Sequence, residues 1–408
     1  MARTKTNLST DVLIVGGGLV GAALAIALGL AGIAAIVVDR DEARVRSDGR
    51  SDGRGFAIAL GSRRMLDALG VWPAVAGDAG PILEIRVSER ASPFFLHYDH
   101  RDVGDEPLGH MVEAGAMKAA LLARLATLKS VRSIAPARVV GLEPGADGVT
   151  ARLADGRVIA ARLAVAADGR TSRLRGQAGI RLTRRAYGQT AIVCTVGHEF
   201  PHEGVAHEHF LPAGPFAILP LKGNRASIVW TERADVAPAM MALAADEFLE
   251  ELGWRFGDFL GRIELLGRRF AHPLFVQYAD RMIAQRLALV GDSAHAMHPI
   301  AGQGLNMGFR DAAALAELIV EAKRTRRDIG AADLLERYQQ ARRFDDALMI
   351  AATDGLNRLF SNDIGPLKLA RGLGLAVVNR VGPLKRLFMR QAMAASADLP
   401  RLMQGRRL

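Results

Sequence analysis

Residues 11–39 contain the pattern that most restricts how this chain can fold. Asp11 to Val15 is typical of a buried strand, and Gly16 to Gly21 fits the motif GxGxxG. The apolar stretch Leu19 to Leu30 predicts a helix, and a second strand runs from Ile33 to Asp39. This order indicates a βαβ unit that binds an adenine dinucleotide, without distinguishing FAD from NAD. The ligand contacts that it predicts are Gly16, Gly18, Gly21 and Asp39.

The same stretch has an alternative interpretation as a membrane span. Val12 to Val38 contains no charged residue and is long enough to cross a bilayer. However, Gly16 to Gly18 interrupt it, and the remainder is rich in Ala instead of Leu. The βαβ interpretation is therefore favoured.

A second informative segment runs from Arg286 to Asp311. Leu287 to Val290 predicts a short buried strand, and Asp292 follows at its carboxyl end, where α/β sheets bind ligands. After Pro299, the sequence AGQGLNMG places several backbone N–H groups at the start of a helix. The segment suits a ribityl chain and a flavin ring, although alone it also fits an ordinary strand, turn and helix.

A third motif lies between these two. Leu163 to Ala167 predicts a strand, and Asp168-Gly169-Arg170 follows it, a sequence that alone is a common β-turn signal. The order GxGxxG, Asp-Gly, Gly-Asp resembles the class A flavin-dependent aromatic hydroxylases, the family of p-hydroxybenzoate hydroxylase. In that family the three motifs serve FAD and NAD(P)H.

The resemblance narrows in the middle of the chain. Residues 187–193, 210–221 and 227–231 look like the substrate-domain strands of the ubiquinone-biosynthesis hydroxylases, and the likeness runs from about Asp11 to Pro400. It implies an α/β fold: a Rossmann-like FAD-binding domain with an inserted mixed-sheet substrate domain and a helical C-terminal region. The implied segments are 1–71, 102–182 and 272–350 for the FAD-binding domain, 72–101 and 183–271 for the substrate domain, and 351–408 for the C-terminal region.

The resemblance also implies an activity. It predicts hydroxylation of the aromatic ring of a polyprenyl phenol in ubiquinone biosynthesis, with FAD as cofactor and NAD(P)H and O₂ as co-substrates, through a flavin C4a-hydroperoxide. Because only one GxGxxG is present, NAD(P)H would visit the FAD transiently. A flavin-dependent dehydrogenase or reductase and a non-catalytic FAD-bound subunit stay open as alternatives. A halogenase is disfavoured because the sequence has no WxWxIP stretch.

Site residues are carried over from the family motifs by position. The residues expected beside the flavin ring, and therefore assigned to catalysis, are Pro299, Gly302, Gln303 and Gly304. The cofactor contacts expected in addition to the glycines and Asp39 of the first motif are Arg54, Asp168, Gly291, Asp292, Ala301, Gly302, Gln303, Gly304 and Asn306.

Two of these assignments are less direct. A tandem SDGR repeat makes Arg50 an alternative to Arg54, which is preferred because an apolar helix follows it directly. Val112 to Met117 departs from the family pattern, since no polar residue follows the Val-Glu pair, and this puts Glu113 in doubt as a site residue.

The histidines give no clear catalytic assignment. His295 and His298 lie beside the expected flavin segment, yet a histidine near a strand end is more often a local hydrogen-bonding partner, so no general base is assigned. Another group invites a metal hypothesis, but Pro201 and Gly204 indicate a turn within it, and no metal is predicted. Its members are His198, His202, His207 and His209.

Composition limits the class of protein. The 408 residues are 50% hydrophobic, enough for a large core, and Cys194 is the single cysteine, so no intrachain disulfide is possible. Residues 1–10 lack the apolar core of a signal peptide, which predicts a cytoplasmic protein. The net charge of +10 suggests nucleic acid, but aromatics are only 5% and no basic motif interleaves with them, so no nucleic-acid partner is expected.

The C-terminal region from Ile364 to Ala397 has no acidic residue and alternates basic with apolar positions. Pro366 and Pro383 would begin separate helices, each too short to span a bilayer. Such helices either dock peripherally on an anionic membrane or on partner proteins of ubiquinone biosynthesis, or pack on the enzyme's own body. The sequence favours neither. Nor does it determine the ring position, the tail length, NADH or NADPH, or the oligomeric state.

Overall fold

The computed structural model describes residues 7–42, 53–89, 95–360, 381–383, 385–386, 389, 393 and 399–408. The strands of this described part are β1 (Asn7–Val15), β2 (Ala35–Val38), β3 (Gly55–Ala59), β4 (Gly80–Ile82), β5 (Glu84–Glu89), β6 (Phe95–Asp99), β7 (Gly109–Glu113), β8 (Val131–Ile134), β9 (Val139–Pro144), β10 (Val149–Leu153), β11 (Val158–Ala166), β12 (Leu182–His198), β13 (Val205–Leu211), β14 (Gly214–Leu221), β15 (Arg225–Arg233), β16 (Ile263–Ala279), β17 (Ile283–Ala284), β18 (Leu287–Leu289) and β19 (His295–Ala296). Its α-helices are α1 (Leu19–Leu30), α2 (Leu60–Ala68), α3 (Ala114–Ala126), α4 (Arg173–Gln177), α5 (Ala237–Ala242), α6 (Ala245–Phe256), α7 (Gly304–Arg324) and α8 (Ala332–Phe360).

The first sheet is the core of the dinucleotide-binding half. Its order is β17-β18-β11-β1-β2-β8, with β10 beside β11 and β9 beside β10. The five strands from β18 to β8 are parallel. Helices α1 and α7 pack together in the core of this half, which explains why both are so rich in buried Ala and Leu. The predicted strand, helix and strand of residues 11–39 are confirmed, and no helix of the described residues is long and apolar enough to cross a membrane.

The second sheet has the order β19-β16-β12-β15-β14-β13-β5-β6. One face packs on α5 and α6, where Trp230, Phe216 and Ile192 meet Phe248 and Phe256. Side chains alternate along a strand, so the intervening residues lie on the opposite face. That face is turned toward the first half, because Phe210 of β13 and Leu96 of β6 form a cluster with Ile300.

Strand pairing and a small third sheet connect the two halves. The short β19, which lies just before the expected flavin segment, pairs with β16 through Gln277 and Ala296 and through Tyr278 and His295. A small third sheet, β3-β7-β4, lies between the two larger sheets. A methyl group added at Gly55 of β3 would lie 2.8 Å from Met111 Cε and 3.3 Å from Ser227 Oγ of the second sheet.

The expected α/β class with an additional mixed sheet is confirmed. Strand β12 begins at the expected domain boundary of residues 182 and 183, and β16 runs across the one at residues 271 and 272. The segment 72–101 contributes β5 and β6 to the second sheet. The domain limits themselves stay a prediction.

The helix-covered face of the second sheet makes a test of core packing possible. Phe248 of α6 is fully buried, whereas Trp254 of the same helix is 68% exposed. We expect Phe248→Ala to lower the free energy of unfolding by about 3–5 kcal/mol, because it removes a large side chain and leaves a cavity. Trp254→Ala should change it by less than about 0.5 kcal/mol. Denaturant titration measures both; equal effects would contradict the assignment of the faces.

Candidate active site

Four neighbouring strands end level with one another. Val15 of β1 is in register with Val38 of β2 and with Ala166 of β11, and Ala166 is in register with Leu289 of β18. The residues that follow these strands therefore lie along one edge of the sheet, where α/β folds bind ligands. They include Gly16, Asp39, Asp168 and Asp292.

The glycines of GxGxxG have two different environments. A methyl group added at Gly21 would lie 2.0 Å from the Gly16 carbonyl oxygen, and one at Gly16 would lie 2.2 Å from the Ala167 carbonyl oxygen. Gly16 also has φ of +108°. A methyl group at Gly18 would meet no described atom within 4 Å. Gly16 and Gly21 thus permit tight packing, while Gly18 begins α1 beside open space, where backbone N–H groups attract a phosphate.

Asp39 closes the far side of this loop. Its half-buried carboxylate accepts hydrogen bonds from the backbone N–H of Gly17 and, at 2.9 Å, from that of Asp41. The side chain therefore points back over the glycine loop from the end of β2. This position is the one from which an acidic residue contacts a ribose in dinucleotide-binding folds.

Asp168 has a carboxylate that is only half satisfied. Its Oδ2 accepts a hydrogen bond from the backbone N–H of Arg173 at 3.0 Å, near the start of α4. Its Oδ1 is buried, and it has no hydrogen-bond partner among the described residues. A buried polar atom without a partner is costly, and it marks a place where a ligand hydroxyl or amide can bind.

The Asp-Gly and Gly-Asp motifs contact each other through side chains. Arg170 Nε donates to Asp292 Oδ2 at 2.9 Å, and both side chains are about half exposed at the edge of the cleft. Gln277 of β16 is buried and donates to the carbonyl oxygens of Arg170, at 3.0 Å, and of Asp292, at 3.3 Å. The second sheet therefore positions both motifs.

The segment from Pro299 to Gly304 lies against β3. Gly302 has φ of +61°, and an added methyl group there would lie 2.9 Å from Ala57 Cβ. A methyl group at Gly304, the first residue of α7, would meet no described atom within 4 Å. We call residues 299–304 the flavin loop. Its close side packs on β3, and its open side presents the N-terminus of α7.

Asn306 fastens this loop to β3. Its Oδ1 accepts from the Ala59 N–H at 3.0 Å, and its Nδ2 donates to the carbonyl oxygens of Ala57 at 2.8 Å and Gly302 at 3.3 Å. Its amide is buried among backbone groups, so it acts on a ligand through the shape of the loop. The side chain of Gln303, within the loop, is buried as well.

Arg54 lies at the start of β3, with its guanidinium 5.5 Å from the centre of the Phe56 ring. It is exposed and directly precedes β3, the strand on which the flavin loop packs, which keeps it a candidate for a cofactor contact. Arg50 lies outside the described residues. Glu113 forms an ion pair with Arg225 at 3.4 Å on the surface, consistent with the doubt that the sequence raised.

A buried charge cluster lies beneath the Gly-Asp motif. Asp311 of α7 accepts from His295 Nε2 at 2.7 Å, from Arg342 Nε at 2.7 Å and from the Gly291 backbone N–H at 2.9 Å. Burial alone would lower the pKa of His295, but the carboxylates of Asp311 and Asp346 outweigh it and raise that pKa to about 9. The imidazolium of His295 is therefore a fixed cation and is unavailable as a base.

His298 is also buried, but it contacts the flavin loop and not a charge cluster. Its Nδ1 accepts a hydrogen bond from the Ile300 backbone N–H at 3.3 Å, and its ring packs edge-on against Tyr187. Burial lowers its pKa to about 4, so the ring is neutral, and the hydrogen bond accepted by Nδ1 assigns the proton to Nε2. His298 thus shapes the flavin loop and has no free lone pair to accept a proton.

The four histidines of the metal hypothesis lie in two separate pairs. The rings of His198 and His202 are 5.4 Å apart, and those of His207 and His209 are 5.8 Å apart. His198 Nδ1 and His202 Nε2 bond to backbone carbonyl oxygens. In the described part of the chain these residues do not converge on one point, and the groups that have metal-like spacing are Glu84 with His97 and Asp99, and His295 with Asp311 and Asp346. The second of these already binds Arg342.

Sequence reasoning missed the residues that position the motifs. Arg170 and Asp311 lie in the quoted segments without an assigned role, and Gln277 and Arg342 belong to no motif. One signal was present: Asp311 is a charged residue in the otherwise apolar face of α7, and such a residue is buried only with partners.

The described residues fit FAD. The space beside Gly18 and Gly304, the unpartnered Oδ1 of Asp168 and the half-exposed Asp292 lie along one edge and suit phosphates, hydroxyls and a ring edge. Comparison with known proteins agrees, because a family model described as an FAD binding domain matches residues 9–351.

Relatives narrow the family. Ubiquinone hydroxylase UbiL of Rhodospirillum rubrum is 52% identical, over 97% of this chain and 92% of the relative. The 3-demethoxyubiquinol 3-hydroxylase of Escherichia coli is 34% identical, over 95% of this chain and 99% of the relative. This chain belongs to the family of ubiquinone-biosynthesis hydroxylases. It is an FAD-dependent monooxygenase, and the expected family, cofactor and enzyme class are confirmed.

A solved structure agrees on the fold. That of p-nitrophenol 4-monooxygenase PnpA from Pseudomonas putida has a TM-score of 0.78 at 18% identity, covering 96% of this chain and all of the other. At that identity the likeness concerns the architecture alone.

The contrast between Gly18 and Gly21 gives a matched pair of variants for this hydroxylase. Gly21→Ala should lower the free energy of unfolding by at least about 1–3 kcal/mol, because its methyl group meets a backbone oxygen that cannot move away. Gly18→Ala should leave the stability of the FAD-free protein within about 0.5 kcal/mol of the original, yet weaken FAD binding by filling the space beside α1. Thermal unfolding and FAD fluorescence titration measure the two effects. Unchanged FAD affinity in Gly18→Ala would contradict the placement of FAD in the space beside Gly18.

Proposed function

We propose that this monooxygenase hydroxylates the aromatic ring of a polyprenyl phenol, a precursor of ubiquinone. The observation that carries the proposal is the contact between the flavin loop and the face of the second sheet opposite α5 and α6, which we call the free face. There Ile300 packs with Phe210 and Leu96. An apolar sheet face opposite a flavin suits an aromatic ring with a hydrocarbon tail. The names of the two relatives indicate substrates of this class for those proteins.

We propose these roles for the residues of the cleft. Asp39 binds the adenosine ribose, the backbone of Gly16 to Gly18 lies against the pyrophosphate, and Asp292 binds the ribityl hydroxyls. Pro299 and the backbone N–H groups of residues 301–304 lie beside the ring edge, where the N-terminus of α7 stabilises negative charge. The remaining contacts carried over from the family are Arg54, Asp168 and Gly291, while Asn306 acts through the shape of the flavin loop.

The bound FAD supplies the reducing electrons, drawn from NAD(P)H, with which O₂ is activated. The chain's own share is to orient the flavin, to exclude water and to hold the substrate ring. The free sheet face excludes water because its clusters of Ala206, Leu219, Leu221 and Phe210 are largely apolar and buried.

Incorporation of oxygen-18 tests the reaction. The FAD-loaded enzyme is given NAD(P)H, a prenylated phenol and labelled O₂, and the product is analysed by mass spectrometry. We expect one labelled oxygen per product molecule, and weaker turnover of the tail-less analogue because it loses apolar contact area. Oxidation of NAD(P)H without labelled product would favour a reductase or dehydrogenase, and bound FAD without any turnover would favour a non-catalytic subunit.

We also propose that the C-terminal region associates peripherally with an anionic membrane. Most of Ile364 to Ala397 lies outside the described residues, and part of the rest packs on the body. Met389 and Met393 are buried against the second sheet, and Lys385 pairs with Asp102 at 2.7 Å. The basic residues that remain for a membrane include Lys368, Arg371 and Arg380, in a stretch without acidic residues. Association with a biosynthetic complex is the alternative use of the same stretch.

Vesicle flotation of the full chain tests the membrane proposal. Replacing Lys368, Arg371 and Arg380 by Glu should weaken binding to anionic vesicles at least about 100-fold, since each basic residue near the surface contributes about 1 kcal/mol. The matched control replaces three exposed arginines of the body by Glu, namely Arg132, Arg138 and Arg281. Equal loss in both variants, or no dependence on anionic lipid, would contradict the proposal.

A further inference from the structure

Glu208 lies on the free face of the second sheet. Along β13, His207 and His209 point to the helix-covered face, where they contact the rings of Phe259 and Phe216. Strand alternation places Glu208, with Ala206 on one side and Phe210 on the other, on the opposite face. The carboxylate therefore belongs to the face that is turned toward the flavin loop.

The immediate surroundings of Glu208 are apolar. Phe210 packs with Val87, the cross-strand neighbour of Glu208, in the cluster that contains Ile300 of the flavin loop. Ala206 packs in a second cluster, with Met389 and Met393 of the C-terminal region. Glu208 thus lies between the flavin loop and the C-terminal residues, in the space proposed for the substrate.

No hydrogen-bond or ion-pair partner of Glu208 is present among the described residues, although its side chain is only half-buried by its exposed area. The surrounding protein nevertheless keeps bulk water away from the carboxyl group, and this desolvation raises the pKa of Glu208 to about 7. A carboxylate without a partner in apolar surroundings is destabilising, and groups kept at such a cost cluster at functional sites. A carboxyl group with a pKa near 7 is also a stronger base than an ordinary Glu, and its pKa is nearer to the value of about 10 typical of a phenol.

Three other titratable groups that the structure describes near Glu208 or the flavin loop do not offer a base. His295 is held as a cation by Asp311, and His298 keeps its proton on Nε2 while Nδ1 accepts from the backbone. Tyr98, which packs in both apolar clusters beside Glu208, has its pKa raised to about 12 by burial and keeps its proton.

We propose that Glu208 is the catalytic base that removes the proton from the phenol hydroxyl of the substrate as its ring is hydroxylated. The phenol O–H bond breaks, a new O–H bond forms on the carboxylate of Glu208, and the electron pair stays on the phenol oxygen. That pair raises the electron density of the ring carbons that receive oxygen. The proton later passes to solvent, and the transfer itself needs no oxidant. The inference rests on the proposed function, since it requires a phenolic substrate.

The test compares Glu208→Gln with Glu208→Asp and with Glu250→Gln, a matched change on the exposed side of α6. Labelled product per NAD(P)H consumed is measured against pH, and substrate affinity is measured by calorimetry. In the unaltered enzyme product yield should rise as the pH increases through about 7, because Glu208 must lose its proton before it can accept one. Glu208→Gln should lose about 10²-fold in yield and the pH dependence, with substrate affinity within twofold. Glu208→Asp should keep part of the yield, and Glu250→Gln all of it.

Chemical rescue separates a base from a structural residue. A prenyl phenol with fluorine only on ring carbons that do not receive oxygen has a lowered phenol pKa and is largely ionised at neutral pH. The ratio of yields between the unaltered enzyme and Glu208→Gln should therefore fall toward one with this substrate. Infrared difference spectra of the two proteins provide a readout apart from turnover, since a carboxylic-acid band should disappear as the pH rises through about 7.

The possible outcomes separate two failures. If the unaltered enzyme forms no labelled product, the proposed function fails. If it forms product and Glu208→Gln matches it with both phenols, or loses yield equally with both, the assignment of Glu208 as base is wrong. If Glu208→Gln does not fold, the pH profile of Glu208→Asp decides, and a profile without an acidic limb contradicts the proposal.

Discussion

The register of four parallel strands is the constraint on which the rest of the structure depends. Because Val38, Val15, Ala166 and Leu289 lie side by side, the loops that follow them open at one edge of the sheet. Three motifs that are separated by more than 100 residues in sequence thereby become one continuous cleft. A slip of one residue in any of these strands would turn its motif away from the others.

The charge cluster around Asp311 holds the Gly-Asp edge of that cleft in place. A buried ion pair contributes little net stability, but removing one partner costs about 3–5 kcal/mol, because the other charge is then left alone. Asp311 binds the backbone of Gly291, the imidazolium of His295 and the guanidinium of Arg342. It thereby joins the end of β18, the strand β19 that precedes the flavin loop, and α8. Gln277 adds the second sheet to this arrangement through two carbonyl oxygens.

The sequence predicted the local parts of the site well. The strands before Gly16, Asp168 and Gly291, and the helix after the flavin loop, follow from apolar runs and glycines within short stretches of chain. What it did not predict depends on long-range pairing. The face of Glu208 is decided by pairing of β13 with β5, about 120 positions earlier, and Asn306 bonds to β3 about 250 positions away. No local pattern records such contacts, and the role of Arg170 toward Asp292 has the same origin.

A crystal structure of the enzyme with FAD and a prenylated phenol tests the central claim most directly. We expect FAD to extend along the strand ends, with its ribose at Asp39, its ribityl chain at Asp292 and its ring beside residues 299–304. The phenol oxygen should lie within hydrogen-bond distance of Glu208, and the tail should follow the free face of the second sheet. FAD placed elsewhere, or a phenol bound on the helix-covered face, would contradict the proposed cleft and substrate site.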